Sequence, residues 1–173
     1  MGTGRPDKHQ YYLGIAAEVA KRSTCLRRQY GAVIVKNDEI ISTGYNGAAR
    51  GETNCCDAGE CWREAHGVPH GEQYEKCVAV HAEQNAIISA SRKDMIGATM
   101  YLAGFENGKA MDENVMPCLI CMRMMQNAGI ARVITQNGLK GGVSNRYAYV
   151  CAKDGAWRID SIPGRRCTGR HPD

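Results

Sequence analysis

Residues 98–136 alternate strand, helix, strand, and this constrains the fold most. ATMYLAG (98–104) reads as a short buried strand, PCLICMRMMQNAG (117–129) as a helix and ARVITQ (131–136) as another strand. Pro117 at the first helical position and Gly129 just past the last are the expected boundary residues. Upstream, GAVIVKN (31–37) and EIISTGYN (39–46) meet at Lys36-Asn37-Asp38 and predict a hairpin, and HAEQNAIISASR predicts a helix from His81 to about Arg92. A strand-helix-strand-helix-strand run implies right-handed crossovers and a sheet covered by helices. Residues 8–22 add an N-terminal helix with Tyr12, Ile15, Ala16, Val19 and Ala20 on one stripe and Gly14 as its weak spot.

With 173 residues, the chain has the length of one domain. The expectation is a single α/β domain over 1–173, with its core at about 8–136. Residues 47–79 form a Cys-rich insert with no hydrophobic period, and 137–173 are unassigned. No apolar run approaches the ~20 residues of a membrane span. The N-terminus lacks a secretory stretch and is a poor myristoylation site, so a cytoplasmic protein is expected. Net charge is +4, with basic ends and an acidic middle. That balance suits a phosphorylated small molecule and is thin for a nucleic-acid binder. Nine cysteines, an odd count without an export signal, favour metal or catalytic use over a disulfide framework.

The chemistry concentrates in His81-Ala82-Glu83 and Pro117-Cys118-Leu119-Ile120-Cys121, an H-x-E…P-C-x-x-C pattern. Cys118 and Cys121 stand i, i+3 in the first turn of a helix, so their sulfurs face one way, and the positive helix end favours thiolates. His81 adds a third ligand from another helix start. Three protein ligands leave one tetrahedral zinc position for water, whose pKa zinc lowers to roughly 7. Glu83 is close enough to take that water's proton without binding the metal. Both motifs open helices that follow a strand or loop, which puts them at one edge of the sheet.

With these motifs on the page, the chain resembles the cytidine and deoxycytidylate deaminase superfamily, and most closely its deoxycytidylate branch. The resemblance runs from about Ala20 to Thr135. It rests on Arg22-Ser23-Thr24-Cys25, Gly31-Ala32-Val33-Ile34-Val35, Gly44-Tyr45-Asn46-Gly47, Asn54-Cys55-Cys56-Asp57 and the two zinc motifs. It implies a three-layer α/β/α sandwich with a mixed sheet of about five strands, and hydrolysis of dCMP to dUMP and ammonia for thymidylate synthesis. It also implies a homohexamer, with activation by dCTP and Mg²⁺ and inhibition by dTTP. By the same resemblance Glu83 shuttles protons and His81, Cys118 and Cys121 hold zinc. Arg27 would meet the 5′-phosphate and Asn46 the sugar, with Ala82 and Tyr147 at the substrate. Asn46 could instead be a left-handed turn residue, and Arg27 or Arg28 a solvated charge.

The resemblance further implies a structural zinc that orders the insert, with Cys25, Cys55 and His70 at the matching ligand positions and Cys77 as the chosen fourth. Cys61, Cys56 and His66 are reserves, and plain buried cysteines are the alternative reading. Two stretches depart from the family pattern. Ala48-Ala49 stands where relatives often have a proline, which leaves the effector response open. Asn137-Gly138-Leu139 lacks the usual stacking tyrosine, with Tyr147 and Tyr149 the nearest aromatics. Competing functions are deamination of dCTP or a modified dCMP, a tRNA adenosine deaminase, a silent zinc module that binds nucleic acid or protein, and a redox protein using Cys118 and Cys121. The Gly-Tyr-Asn-Gly stretch speaks against the tRNA enzyme, and an intact Glu83 against the silent module.

Overall fold

The computed structural model describes residues 4–69, 72–111 and 115–136, and the backbone of two strands at 147–153 and 156–160. Helix α1 (Lys8–Ala20) starts at a capping box. The Asp7 carboxylate accepts from the Gln10 N–H at 2.8 Å, and the Gln10 side chain accepts from the Asp7 N–H at 3.0 Å. Its inner stripe is Tyr12, Leu13, Ala16 and Ala20, so Leu13 takes an inward place and Ile15 and Val19 sit at the margin. Gly14 does not interrupt the helix.

Strands β1 (Arg28–Lys36) and β2 (Glu39–Tyr45) form the expected hairpin. Asn37 and Asp38 have φ of 52° and 67°, the two left-handed residues that a tight two-residue turn needs. The short β3 (Gly47–Ala48) pairs with β4 (Ala79–Val80) and closes the base of the insert. Between them the insert holds α2 (Cys55–Ala58), α3 (Trp62–Ala65) and one 3₁₀ turn at Tyr74–Lys76.

The helix expected over 81–92 is two pieces, α4 (Ala82–Ile88) and α5 (Arg92–Met95), because Ser91 caps a fresh start and its carbonyl accepts from Asp94 and Met95. Strands β5 (Thr99–Glu106) and β6 (Lys109–Ala110) turn over Asn107-Gly108. Helix α6 (Leu119–Ala128) is capped by Cys118, so Pro117 precedes the cap instead of occupying the first helical position. Gly129 closes it with φ of 82°, as expected. β7 (Arg132–Gln136), β8 (Tyr147–Lys153) and β9 (Ala156–Asp160) follow.

One mixed sheet runs β2-β1-β5-β7-β8-β9, with β6 beside β5. Among the described residues its seven strands exceed the expected five or so because the unassigned region adds β8 and β9 and β6 forms a short hairpin. β5 and β7 are parallel across α6, and the other pairs are antiparallel.

Alternation along the strands makes the three layers. Val33, Val35, Tyr101 and Ala103 face α1, while Ala32, Ile34, Met100 and Leu102 face α4 and α6. Two glycines let helices touch the sheet. A Cβ on Gly31 would lie within 2.5 Å of the Ala16 O and Ala20 N of α1, and one on Gly44 within 2.3 Å of the Ala82 O and Ala86 N of α4. Gly44 therefore sets how closely the start of α4 approaches β2.

Candidate active site

His81 and Cys118 occupy equivalent places. Each is the extended residue that caps a helix, α4 and α6 respectively, and the two helices lie on one face of the sheet. The Gln84 side chain accepts from the His81 N–H at 2.9 Å and fixes that turn. The Cys121 N–H donates to the Cys118 sulfur at 3.4 Å, which aligns both sulfurs. His81 Nδ1 then stands 3.5 Å from Cys118 Sγ and 3.4 Å from Cys121 Sγ, and the three donor atoms lie within 4.8 Å of one another. With metal–nitrogen bonds of about 2.0–2.1 Å and metal–sulfur bonds of about 2.3 Å, tetrahedral zinc requires N···S separations of roughly 3.6 Å. The donor set therefore fits zinc in type and spacing.

The electrostatics agree. The Cys121 thiol beside it, and then the His81 ring, hold the Cys118 thiol down to about 4. The Cys118 sulfur, and then burial, push the Cys121 thiol up. The Cys118 sulfur also raises His81. A dication at the centre would favour both thiolates and displace their protons. Glu83, in the first turn of α4, is 5% exposed, and burial raises its carboxyl. It is thus a carboxyl that can carry a proton, set beside the three donors.

His81, Glu83 and Cys118 open into a cavity of about 310 Å³, also lined by Arg27, Arg28, Tyr30, Asn46, Arg63, Tyr74, Ala82 and Met116. Asn46 is buried and is not in the left-handed region, so the turn-residue alternative does not hold. Its Oδ1 accepts from the Tyr30 N–H at 2.7 Å and the Ser23 hydroxyl at 2.8 Å, and its Nδ2 donates to the Arg28 carbonyl at 2.8 Å. It fastens β2 to β1 and keeps one N–H beyond those bonds. Arg27 lies 4.0 Å from Glu64, and Arg28 pairs with Glu106 at 3.0 Å, so neither is simply a solvated charge. Ala82 is buried as the first residue of α4. Tyr147 opens β8 opposite Gln136, and its side chain lies outside the described residues.

Of the residues expected around a second zinc, Cys25 and Cys77 line the same cavity together with the reserve Cys61. Burial, and then the nearby thiols of Cys25, Cys61, Cys77 and Cys56, raise Cys55. His70 lies outside the described residues. Reserve His66 instead stacks on Trp62 at 4.2 Å. Among the described residues, no three of these donor atoms lie within 4.8 Å of one another, as those of the His81 centre do.

Sequence reasoning missed Arg63 and Tyr74. Both sit in the aperiodic insert, where only the fold shows that they face the centre. Tyr74 meets the His81 ring edge-on, with centroids 5.3 Å apart.

Residues 6–137 match the family described as the cytidine and deoxycytidylate deaminase zinc-binding region. A deoxycytidylate deaminase of Mycobacterium phage D29 is 41% identical over 135 residues, which is 75% of this chain and 94% of the phage protein. The Schizosaccharomyces pombe deoxycytidylate deaminase is 35% identical over 130 residues, where this chain spans 75% of its own length but 37% of the yeast protein. Among solved structures, the dCMP deaminase of cyanophage S-TIM5 in apo form is similar at 26% identity and a TM-score of 0.55, over 76% of this chain and 84% of that one. The same cyanophage enzyme has also been solved in complex with dCMP and dUMP.

Proposed function

This chain belongs to the cytidine and deoxycytidylate deaminase family, and from that premise we propose that it hydrolyses dCMP to dUMP and ammonia, supplying dUMP for thymidylate synthesis. The observation that carries the reading is the meeting of His81, Cys118 and Cys121 donors at zinc spacing beside a buried Glu83. Relatives named deoxycytidylate deaminase at 41% and 35% identity support dCMP over other cytosine nucleotides.

His81, Cys118 and Cys121 would hold the metal. Bound there, zinc supplies a Lewis acid that makes a water acidic near neutral pH. Glu83 takes a proton from the attacking water. It passes that proton to the ring nitrogen beside the amino-bearing carbon, then takes the water's second proton from the hydroxyl now on that carbon and gives it to the departing amine, so that the carbonyl forms as the C–N bond breaks. Met116 and Tyr74 line the same cavity. Arg27, Asn46 and Ala82 line the same space and are our choice for substrate contacts, with Tyr147 as a further candidate.

We assign a second, structural zinc to the insert, with Cys25, Cys55 and His70 as ligands and Cys77 as the fourth. The cavity lining shared by Cys25 and Cys77, and the effect of both thiols on Cys55, support it, and Cys61 stands ready as a replacement ligand. Thiolate ligands require reduced cysteines, which fits a cytoplasmic site of action. Exposed Ile88, Leu119 and Ile120 on α4 and α6 support assembly into a homo-oligomer such as a hexamer. Control by dCTP with Mg²⁺ and by dTTP belongs to the same reading.

The test is ammonia release from a panel of dCMP, dCTP, CMP, deoxycytidine and an adenosine-containing tRNA hairpin. The highest kcat/KM is expected on dCMP. Preference for dCTP or for the hairpin replaces the assignment with that substrate, and silence on all of them with zinc bound points to a binding module.

A further inference from the structure

Arg63 is a charged side chain where charges are rarely found. It is 6% exposed, inside a helix of four residues in the insert, and it lines the catalytic cavity. One Nη2 donates to the Pro69 carbonyl at 2.6 Å, and the guanidinium lies 4.7 Å above the Tyr74 ring. These two contacts fix its plane. Nε is buried with no hydrogen-bond partner, and no acid among the described residues pairs with the group.

The neighbouring cations differ. Arg28 is committed to Glu106 at 3.0 Å, and Arg27 keeps loose company with Glu64 at 4.0 Å. Among the described residues, the cavity lining thus holds three arginines against one acid, Glu83, which the reaction needs for proton transfer. A buried cation without a counter-charge is costly unless something supplies the anion. A planar fork locked in place is the geometry that receives two oxygens of a phosphate.

We propose that Arg63 holds the 5′-phosphate of the nucleotide and makes the enzyme select a monophosphate over the free nucleoside. This rests on the deaminase reading above. Arg27, closer to solvent, draws the phosphate in, while Arg63 anchors it from the insert. The insert therefore serves as a specificity element as well as a wall.

The experiment compares wild type with Arg63→Met and Arg63→Gln on dCMP and on deoxycytidine, by ammonia release, with inorganic phosphate as competitor. The ratio of kcat/KM on dCMP to that on deoxycytidine should fall on the order of 10–100-fold, mainly through KM. Inhibition by inorganic phosphate against dCMP should weaken in parallel. Arg63→Lys should recover part of the ratio, as a point charge without the fork. An unchanged ratio in an active, zinc-loaded variant overturns the inference and leaves Arg63 a structural brace of the insert. The deaminase reading then stands. Wild-type protein that releases ammonia from neither compound overturns that reading and this inference with it. Should Arg63→Met fail to fold, Arg63→Gln gives the same ratio, and competition by inorganic phosphate in the wild type is a second readout. Phosphate that inhibits deoxycytidine turnover as strongly as dCMP turnover places the anion over the base site and overturns the proposal.

Discussion

Glu83 can carry a proton because α4 buries it at 5% exposure, where desolvation favours the neutral carboxyl. It sits two residues from His81, at the turn that Gln84 fixes, so its reach is set by the same local geometry as the metal donor. Glu83→Gln keeps the volume and removes the base. Turnover should fall on the order of 10²–10⁴-fold with zinc retained, read by ammonia release and metal analysis on one sample. Cys118→Ala should lose zinc and activity together. Near-normal turnover in zinc-loaded Glu83→Gln protein would remove Glu83 from the mechanism. This part of the site was legible in the sequence because its spacing is dictated by bond lengths. Two cysteines at i, i+3 and a histidine at another helix start can meet only if both helices begin at one sheet edge. Arg63 and Tyr74 were not legible, since their positions follow from how a segment without periodicity folds back over the cavity.

At the scale of elements, the helices stand where they do because two strand residues lack side chains. Gly31 receives α1 and Gly44 receives α4, on opposite faces of the β1–β2 hairpin. Gly44→Ala would place a Cβ 2.3 Å from two backbone atoms of α4, and backbone cannot swing aside as a side chain can. The variant should lose roughly 1–3 kcal/mol and displace His81 from the sulfurs. A lower Tm with weaker zinc retention is the expected pair of results. Unchanged zinc affinity would show that α4 slides without tilting. Hydrophobic periodicity predicted these strands and helices, but it could not see the break at Ser89–Ser91, where local capping competes with continuation.

The other face offers a pH test. The Tyr12 hydroxyl donates to the Asp38 carboxylate at 2.6 Å and ties α1 to the hairpin turn. That hydrogen bond, reinforced by burial, raises the Tyr12 phenol to about 12. A folded value above the unfolded one means the contribution is complete below pH 10 and is lost as pH climbs through 12. Tyr12→Phe should melt lower near neutrality and lose the stability drop between pH 10 and 12 that wild type shows. An identical alkaline limb in both proteins would assign that drop to other groups.

Over the whole molecule, stability is unevenly spread. The sheet between α1 and the α4–α6 pair holds nearly all the fully buried large side chains, among them Ile34, Met100, Leu102, Met125 and Ile134. Among the described residues between β3 and β4, the insert contributes only Cys55 on α2, Cys61 and the charged Arg63 at and in α3, and Val68 beyond it to the buried set. Two paired residues at each end, Gly47–Ala48 against Ala79–Val80, close its base. Such a unit opens well before a packed sheet does, unless something other than apolar burial holds it. If thiolate-bound zinc is that something, chelation should release the insert while the sheet stays folded. Trypsin supplies the readout, because Arg50 and Lys76 are exposed while Arg63 is buried. Cleavage after Arg63 therefore reports opening of the insert and not surface nicking. A strong chelator should make that cut rapid with far-UV CD almost unchanged, and added zinc should suppress it. Cys55→Ala should reproduce the fast cut without chelator, before zinc at the His81 centre is touched. Protection of Arg63 that survives removal of all metal would mean that the pairing of β3 with β4 and the Arg63–Tyr74 contact suffice. The cysteines of the insert would then be plain packing residues.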